Sequence, residues 1–408
     1  MLCQFTFGNY RSYRSETSFT MQSTSMKEFS EALIRSEHDS QSFLPVAAVY
    51  GPNAGGKTNL FLALQYVCSA VARPIMLLSR SADDAADRAM ANRLPRCSPF
   101  AFDEASKDDP TSFEVYYRVK EHEYRYELVM QESEISSEAL FRRKIGGSRT
   151  ATIFEREGAN VEHGASIKRI KVPESFNPSI PYLSFLRMNS NAEAVAEAAD
   201  WFVDSLFLNY NSAFLEYFLE DVLDDDDSDR VARLLNAADI TITGFRTEKD
   251  DEEGHQKVFV GHRVDGQPYE LRLSEESAGT QKLMGLASFL VRILAEGGLL
   301  AVDELDAKLH PKLLRYVVLL FKDPAVNKHG AQLIFTSQDV STMRNDVFRR
   351  DEIWFAAKDE HEESRLWSLA DIHEANGNLV SKNAAFDKQY LAGRYGADPY
   401  LTRMEEWV

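Results

Sequence analysis

The chain has 408 residues, with 46 Lys and Arg against 64 Asp and Glu, a formal net charge of −18. Hydrophobic residues make up 44% and charged residues 27%, proportions that exclude a disordered or collagen-like chain. The acidity excludes a protein that coats nucleic acid through its bulk field, though not one with a local basic patch.

At roughly 150 residues per domain, the length points to two or three lobes. Cys3, Cys68 and Cys97 are too few and too scattered for a disulfide framework or a zinc site. A reducing, cytoplasmic setting is therefore expected. Apolar stretches such as 316–321 fall short of the ~20 residues of a membrane span, and Gln4, Asn9 and Arg11 argue against a signal peptide. No membrane partner is expected.

Leu2, Phe5, Phe7, Tyr13 and Phe19, with Gly8-Asn9 as a turn signal, predict opening strands. Polar residues 22–42 predict a loop or a short exposed helix. Val46–Tyr50 is apolar without alternation, as in a strand buried on both faces of a parallel sheet. A helix-compatible run through Leu60, Leu62, Leu64 and Val67 comes after residues 51–58. Phe113, Val115, Tyr117 and Val119 alternate, then Tyr124, Tyr126, Leu128 and Met130, predicting a hairpin over 112–130. Further strands are expected over 140–156, broken at Gly146-Gly147.

Spacings near three and four among Ala196, Ala199, Phe202, Leu206, Phe214, Phe218 and Leu223 predict helix over 191–223. The acidic run 224–227, with Asp229, reads as a solvated loop or helix start. A second hairpin is expected over 258–273 around Asp265-Gly266. A helix over 280–296 and buried strands over 299–302 and 333–336 complete the outline. The fold class is α/β: a mixed central sheet with an antiparallel β lobe and a helical insertion.

Three segments carry chemistry. Gly51-Pro52-Asn53-Ala54-Gly55-Gly56-Lys57-Thr58 fits G-x-x-x-x-G-K-[ST] between a strand and a helix. Glycines let successive backbone N–H groups face a phosphate, and the helix N-terminus adds its dipole. Lys57 would reach the β- and γ-phosphates, and Thr58 would put its hydroxyl on Mg²⁺. Asp303 and Glu304 end an apolar strand, where parallel sheets bind ligands. Asp303 would hold Mg²⁺ and Glu304 would polarise the attacking water. Ser277-Ala278-Gly279-Thr280-Gln281 precedes a helix, and offers N–H groups and hydroxyls to an anion or simply caps the helix.

In that order, these segments and Asp303-Glu304-Leu305-Asp306 resemble the phosphate loop, signature motif, Walker B strand and D-loop of an ABC-type ATPase of the SMC-like branch. Residues 7–13 are similar to its opening strands. Residues 350–355 and 393–399 resemble the ending of the OLD-like and SMC-like abortive-infection ATPases of phage-defence operons. The resemblance spans about two-thirds of the chain and is weakest over 80–250.

The resemblance implies a P-loop NTPase of ABC/SMC-head type. It implies a nucleotide cradle of Asn53, Ala54, Gly55, Gly56, Lys57, Thr58 and Asn59, with Arg11 beside it. Ser277, Gly279, Thr280 and Gln281 would close over the γ-phosphate of a second copy, with Asp306 communicating across a head-to-head dimer. An infection-sensing ATPase that controls a partner effector, such as a nuclease from the same operon, follows from it. The alternatives are a DNA-repair ATPase acting on DNA ends and a weakly hydrolysing scaffold.

Gln338 stands where that family places a histidine against the γ-phosphate. Glutamine donates a hydrogen bond but carries no proton charge, which implies slow hydrolysis. The family's Q-loop falls nearest to 96–103.

Residues 142–171 hold Arg142, Arg143, Lys144, Arg149, Arg156, Lys168, Arg169 and Lys171 against three Glu, a solvated β face, a protein-binding patch or a phosphate-contacting strip for nucleic acid. The histidines are isolated, and His310 reads as a structural turn residue. The organisation expected is an N-terminal ATPase lobe over 1–185, a helical insertion over 186–250 and a C-terminal ATPase lobe over 251–408.

Overall fold

The structure is a computed structural model that describes residues 1–79, 94, 96–132, 134–173, 175–209, 225–238, 240–249, 256–374 and 376–397. Phe214, Phe218, Leu223 and Asp224 of the expected helical stretch, and Asp398 and Pro399 of the tail, lie outside the described residues.

In chain order, β1 (Leu2–Gly8) pairs antiparallel with β2 (Thr17–Thr20). Two-residue strands β3 (Ile34–Arg35) and β4 (Ser42–Phe43) then lead into β5 (Val46–Tyr50) and the long helix Lys57–Ser79. A meander follows: β6 (Thr111–Val119), β7 (His122–Gln131), β8 (Glu134–Lys144), β9 (Thr150–Glu157) and β10 (Asn160–His163). Helices Tyr182–Asn189 and Glu193–Asp204 precede β11 (Leu206–Asn209). After helix Asp225–Ala237 come β12 (Gly244–Lys249), β13 (Gln256–Val264) and β14 (Gln267–Arg272), then helix Ala278–Glu296 and β15 (Leu299–Asp303). Helix Pro311–Lys322, β16 (Gln332–Thr336), β17 (Ile353–Lys358), β18 (Ser364–Ser368) and helix Phe386–Leu391 finish the chain.

The meander and the N-terminal pair join in a seven-stranded antiparallel sheet, β10-β9-β8-β7-β6-β1-β2. A six-stranded sheet, β11-β15-β16-β5-β17-β18, is parallel except at its β18 edge. Strand patterns explain the split. β7 alternates buried and half-buried residues, as a sheet covered on one face does. Every residue of β5, β15 and β16 is buried, because helices cover both faces.

Period two sorts the β5 side chains between two cores. Ala47 and Val49 join the core shared with the antiparallel sheet and the helix Lys57–Ser79. Val46, Ala48 and Tyr50 join the core under helices Ala278–Glu296 and Pro311–Lys322. One amide stitches the two sheets: Gln332 accepts from Leu2 N at 2.6 Å and donates to the carbonyls of Leu2 and Leu44 at 3.1 Å each.

Three readings need correction. The helical pattern over 191–223 breaks at Ser205, and Leu206–Asn209 is the edge strand of the central sheet, paired parallel with β15. Residues Lys57–Leu77 are long and apolar enough to cross a membrane by length and composition. Here Ala63, Leu64, Val67, Cys68, Ala70 and Val71 are instead buried between the sheets. Arg156 cannot belong to a basic strip: its side chain is 0% exposed, against Glu138 at 3.2 Å and the carbonyls of Pro178 and Ile180. Arg143 pairs with Glu123, and Lys144 with Glu121 at 3.2 Å.

Elsewhere the turn chemistry is as read. Asp265 and Gly266 adopt φ 50° and 80° between β13 and β14, the left-handed pair that a two-residue hairpin loop requires. Residues 225–227 of the acidic run fall within helix Asp225–Ala237. His310 caps helix Pro311–Lys322 by accepting from Lys312 N at its Nδ1, 3.2 Å away.

Candidate active site

The carboxyl ends of β5, β15 and β16 lie side by side, since Thr336 is in register with Val49 and Val302 with Phe335. Loops leaving these ends meet there, the usual position for a ligand site in a parallel sheet.

The phosphate loop leaves β5 through Gly51 at φ 147°. A Cβ at Gly51 would stand 2.0 Å from the Ala356 carbonyl of β17, so any side chain would push the loop off the sheet. Gly56, at φ 111°, likewise has no room: a Cβ would meet Ser364 Oγ at 2.4 Å. Asn53 and Ala54 are exposed at the loop crest, Gly55 is buried, and Gly55 N donates to Pro52 O at 3.1 Å. Lys57 is 7% exposed, and its Nζ donates to Gly51 O at 2.7 Å and Pro52 O at 3.0 Å. Burial lowers its pKa, against the opposing pull of Asp303, Asp306 and Glu304.

Asp303 is the centre of the site. It is 2% exposed and accepts at Oδ1 from Thr336 Oγ1 at 2.6 Å and Thr58 Oγ1 at 3.3 Å. Burial raises its pKa, the two hydroxyls and Lys57 oppose that, and Glu304 adds to it. No ion pair engages Asp303 among the described residues. A buried carboxylate beside a hydroxyl, with no directly bonded cation, is a hard-oxygen donor set that fits Mg²⁺.

Glu304 follows at φ 56°, held by its N–H on Thr336 Oγ1 at 2.8 Å. Asp306 Oδ2 accepts from the backbone N–H groups of Gln338 and Asp339, both at 3.1 Å. This fixes the D-loop to the loop after β16, while the Gln338 side chain is exposed.

The fold thus brings Lys57, Thr58, Asp303, Glu304, Asp306 and Gln338 to one edge. Asn59 faces the N-terminal loop instead, donating to Ser12 Oγ at 2.7 Å. Arg11, on that loop, is exposed at φ 53°, with its guanidinium 5.7 Å from the Tyr10 ring centre and its N–H on Ser98 O at 2.8 Å. Segment 96–103 docks here too, through Phe100 N on Asn9 Oδ1 at 3.0 Å and Asp103 on Arg14 at 2.8 Å.

The signature segment stands apart. Ser277 is exposed and caps helix Ala278–Glu296 by accepting from Thr280 N at 3.2 Å. Gln281 donates to Glu276 O at 2.7 Å, and a Cβ on Gly279 would come 3.2 Å from Lys308 O. Among the described residues its hydrogen bonds are local and do not reach the phosphate loop.

Sequence reasoning missed Thr336, Ser12, Tyr13 and Ser364 as parts of this site. Tyr13 donates to Gly56 O at 3.3 Å, and Ser364 shares a 2.7 Å bond with Ser12. Thr336 had a signal: a hydroxyl ending an apolar strand that neighbours an acid-tipped one.

Residues 46–344, the greater part of the chain and all the segments just described except the N-terminal loop and the β17–β18 edge, match the family model described as "AAA domain, putative AbiEii toxin, Type IV TA system". The chain belongs to this AAA-domain family. It is accordingly a P-loop NTPase, and such folds bind ATP with Mg²⁺ in general.

Solved structures similar to this AAA-domain chain include an SMC head bound to the C-winged helix domain of ScpA. That match has 13% identity, 90% of this chain and 97% of that chain covered, and a TM-score of 0.45. The SMC head domain from Thermotoga maritima matches at 13% identity, 90% and 98% coverage and TM-score 0.42. An Smc head with an extended coiled coil, bound to the C-terminal domain of ScpA derived from Pyrococcus furiosus, matches at 12%, 90% and 96%, and 0.40. No curated protein matches the chain.

Proposed function

We propose that this chain binds ATP with Mg²⁺ on its phosphate-loop face and hydrolyses it slowly. Two copies would close head to head, Ser277 and Gly279 of one sealing the γ-phosphate held by the other. The observation that supports this most is Asp303, a buried acid between the Thr58 and Thr336 hydroxyls that forms no ion pair among the described residues.

Lys57 Nζ would exchange two backbone carbonyls for β- and γ-phosphate oxygens, which pairs its charge. Thr58 and Asp303 would hold Mg²⁺, which supplies charge neutralisation on the phosphate oxygens when bound. Glu304 would orient a water in line with the γ-phosphate and accept its proton. Gln338 would donate a hydrogen bond there without a proton to give. Asp306, tied to the Gln338 N–H, would report that contact to the partner copy.

The wider role we propose is that of an OLD-like, SMC-like ATPase in a cytoplasmic anti-phage system. It would sense infection and control an effector nuclease encoded beside it. The toxin–antitoxin wording of the family description supports a defence setting. A second reading, an ATP-dependent scaffold with little turnover, is favoured by glutamine at position 338. Direct action on DNA is less supported, because Arg156 is buried and Arg143 and Lys144 are paired.

Two substitutions test the site. Lys57→Ala is expected to abolish nucleotide binding in a titration with a fluorescent ATP analogue; retained affinity breaks the phosphate-loop assignment. Glu304→Gln is expected to cut phosphate release by about 10²–10⁴-fold and accumulate an ATP-bound dimer. Unchanged turnover would put the base elsewhere, and copurification of the neighbouring gene product would test the effector.

A further inference from the structure

β13 turns inward at every second residue. Val258 and Val260 are 5% and 0% exposed, and His262 is next on the same face. An apolar residue would continue that stripe; a histidine interrupts it. Its Nε2 lies 2.7 Å from Glu276 Oε1, and the two side chains are 22% and 11% exposed. A carboxylate only accepts, so Nε2 carries the hydrogen in this bond.

Glu276 immediately precedes the signature segment. Its carbonyl takes the Gln281 amide at 2.7 Å, and the next residue, Ser277, caps the helix through Thr280 N. A continuous run of bonds therefore links the three-stranded sheet β12-β13-β14 to the lip that would meet a second copy's nucleotide. One edge of this sheet is β14, whose six residues are all exposed and which runs on through 273–275 to Glu276.

We infer that His262 and Glu276 are positioning residues for the signature lip. The imidazole fixes the Glu276 side chain, and Glu276 in turn fixes Gln281 and the first turn of helix Ala278–Glu296. Neither residue touches nucleotide in its own chain; both act on how well the lip fits the partner copy. The inference rests on the head-to-head reading above. It adds that this fit is set from a separate sheet rather than by the lip's own capping bonds.

The test uses the full chain in a Glu304→Gln background, with ATP and Mg²⁺. Dimerisation is read by sedimentation velocity, and binding of a fluorescent ATP analogue is read on dilute monomer. His262→Ala is expected to weaken ATP-driven dimerisation about tenfold, the loss of one hydrogen bond to a charged group. Analogue affinity should stay within about twofold of the parent. His262→Gln keeps an N–H donor and should recover most of the loss. Glu276→Ala should repeat it, which guards against misfolding of a single variant.

The inference is overturned if His262→Ala and Glu276→Ala dimerise like the parent, if they lose analogue affinity in equal proportion, or if His262→Gln is no better than His262→Ala. A parent that stays monomeric with ATP, whether or not it carries Ser277→Arg, overturns the head-to-head reading itself. Dimerisation of the parent, lost with Ser277→Arg, separates the two failures.

Discussion

Two of the buried acids among the described residues are Asp303 on the central sheet and Glu138 in the antiparallel lobe, 2% and 1% exposed. Burial pushes both above the ordinary carboxylate range. Their company differs. Glu138 meets Arg156 at 3.2 Å, the N–H groups of Tyr182 and Leu183 at 2.6 and 2.9 Å, and the Tyr126 hydroxyl at 3.0 Å. Asp303 has two hydroxyls and no ion pair. The fold pairs one acid directly with a guanidinium; the other has hydroxyls in contact, and only the Lys57 charge acts on it, without an ion pair. Burial does not by itself mark a site; burial without a directly bonded counter-ion points to one.

The sharpest way to break that contrast is to remove a cation from the lobe. Arg156→Met strands the Glu138 charge and should cost about 3–5 kcal/mol in urea unfolding. A cost below about 1 kcal/mol would mean that the pair holds nothing together. The matching change at the site, Asp303→Asn, removes a charge that sits in no ion pair and leaves an oxygen for the two hydroxyls. It should move the unfolding free energy by less than about 1 kcal/mol while Mg²⁺-dependent ATP turnover disappears. A large destabilisation there would make Asp303 as structural as Glu138.

The smallest effect concerns pH. Tyr182, whose N–H serves Glu138, has its hydroxyl 2.7 Å from His163 Nε2. Burial lowers the His163 pKa below its ordinary 6.5. Folding thus favours the neutral ring. The contribution is complete above the unfolded value and is lost as pH falls through 6.5 toward the lower folded value. The ring is only partly buried, so the slope is shallow. Urea midpoints at about pH 7.5 and about pH 5.5 should converge in His163→Gln. An unchanged slope would assign the acid sensitivity to other groups.

The strands that position the site were legible because their environment is uniform. Val46–Tyr50 and Leu299–Asp303 are buried on both faces and read as unbroken apolar runs. Asp265-Gly266 was legible because only a few residue types tolerate its backbone. What stayed hidden depends on partners far along the chain. Leu206 continues a helical spacing, yet becomes a strand because β15, beginning at Leu299, offers it a parallel edge. Arg156 is one of many arginines in sequence, and only the fold puts Glu138 and the Pro178 and Ile180 carbonyls around it. Thr336 looks like the last residue of an apolar strand until register sets it beside Asp303. The motif residues were visible; the groups that hold them were not.

Glu304 sits in the left-handed region at φ 56°, a conformation that costs a residue with a Cβ about 1–3 kcal/mol. Two anchors on Thr336 keep it there: its own N–H on the hydroxyl, and Leu305 N–H on the carbonyl. Glycine would relax that corner at once. Stability alone would therefore favour glycine over the acid, so Glu304→Gly should raise the unfolding free energy rather than lower it.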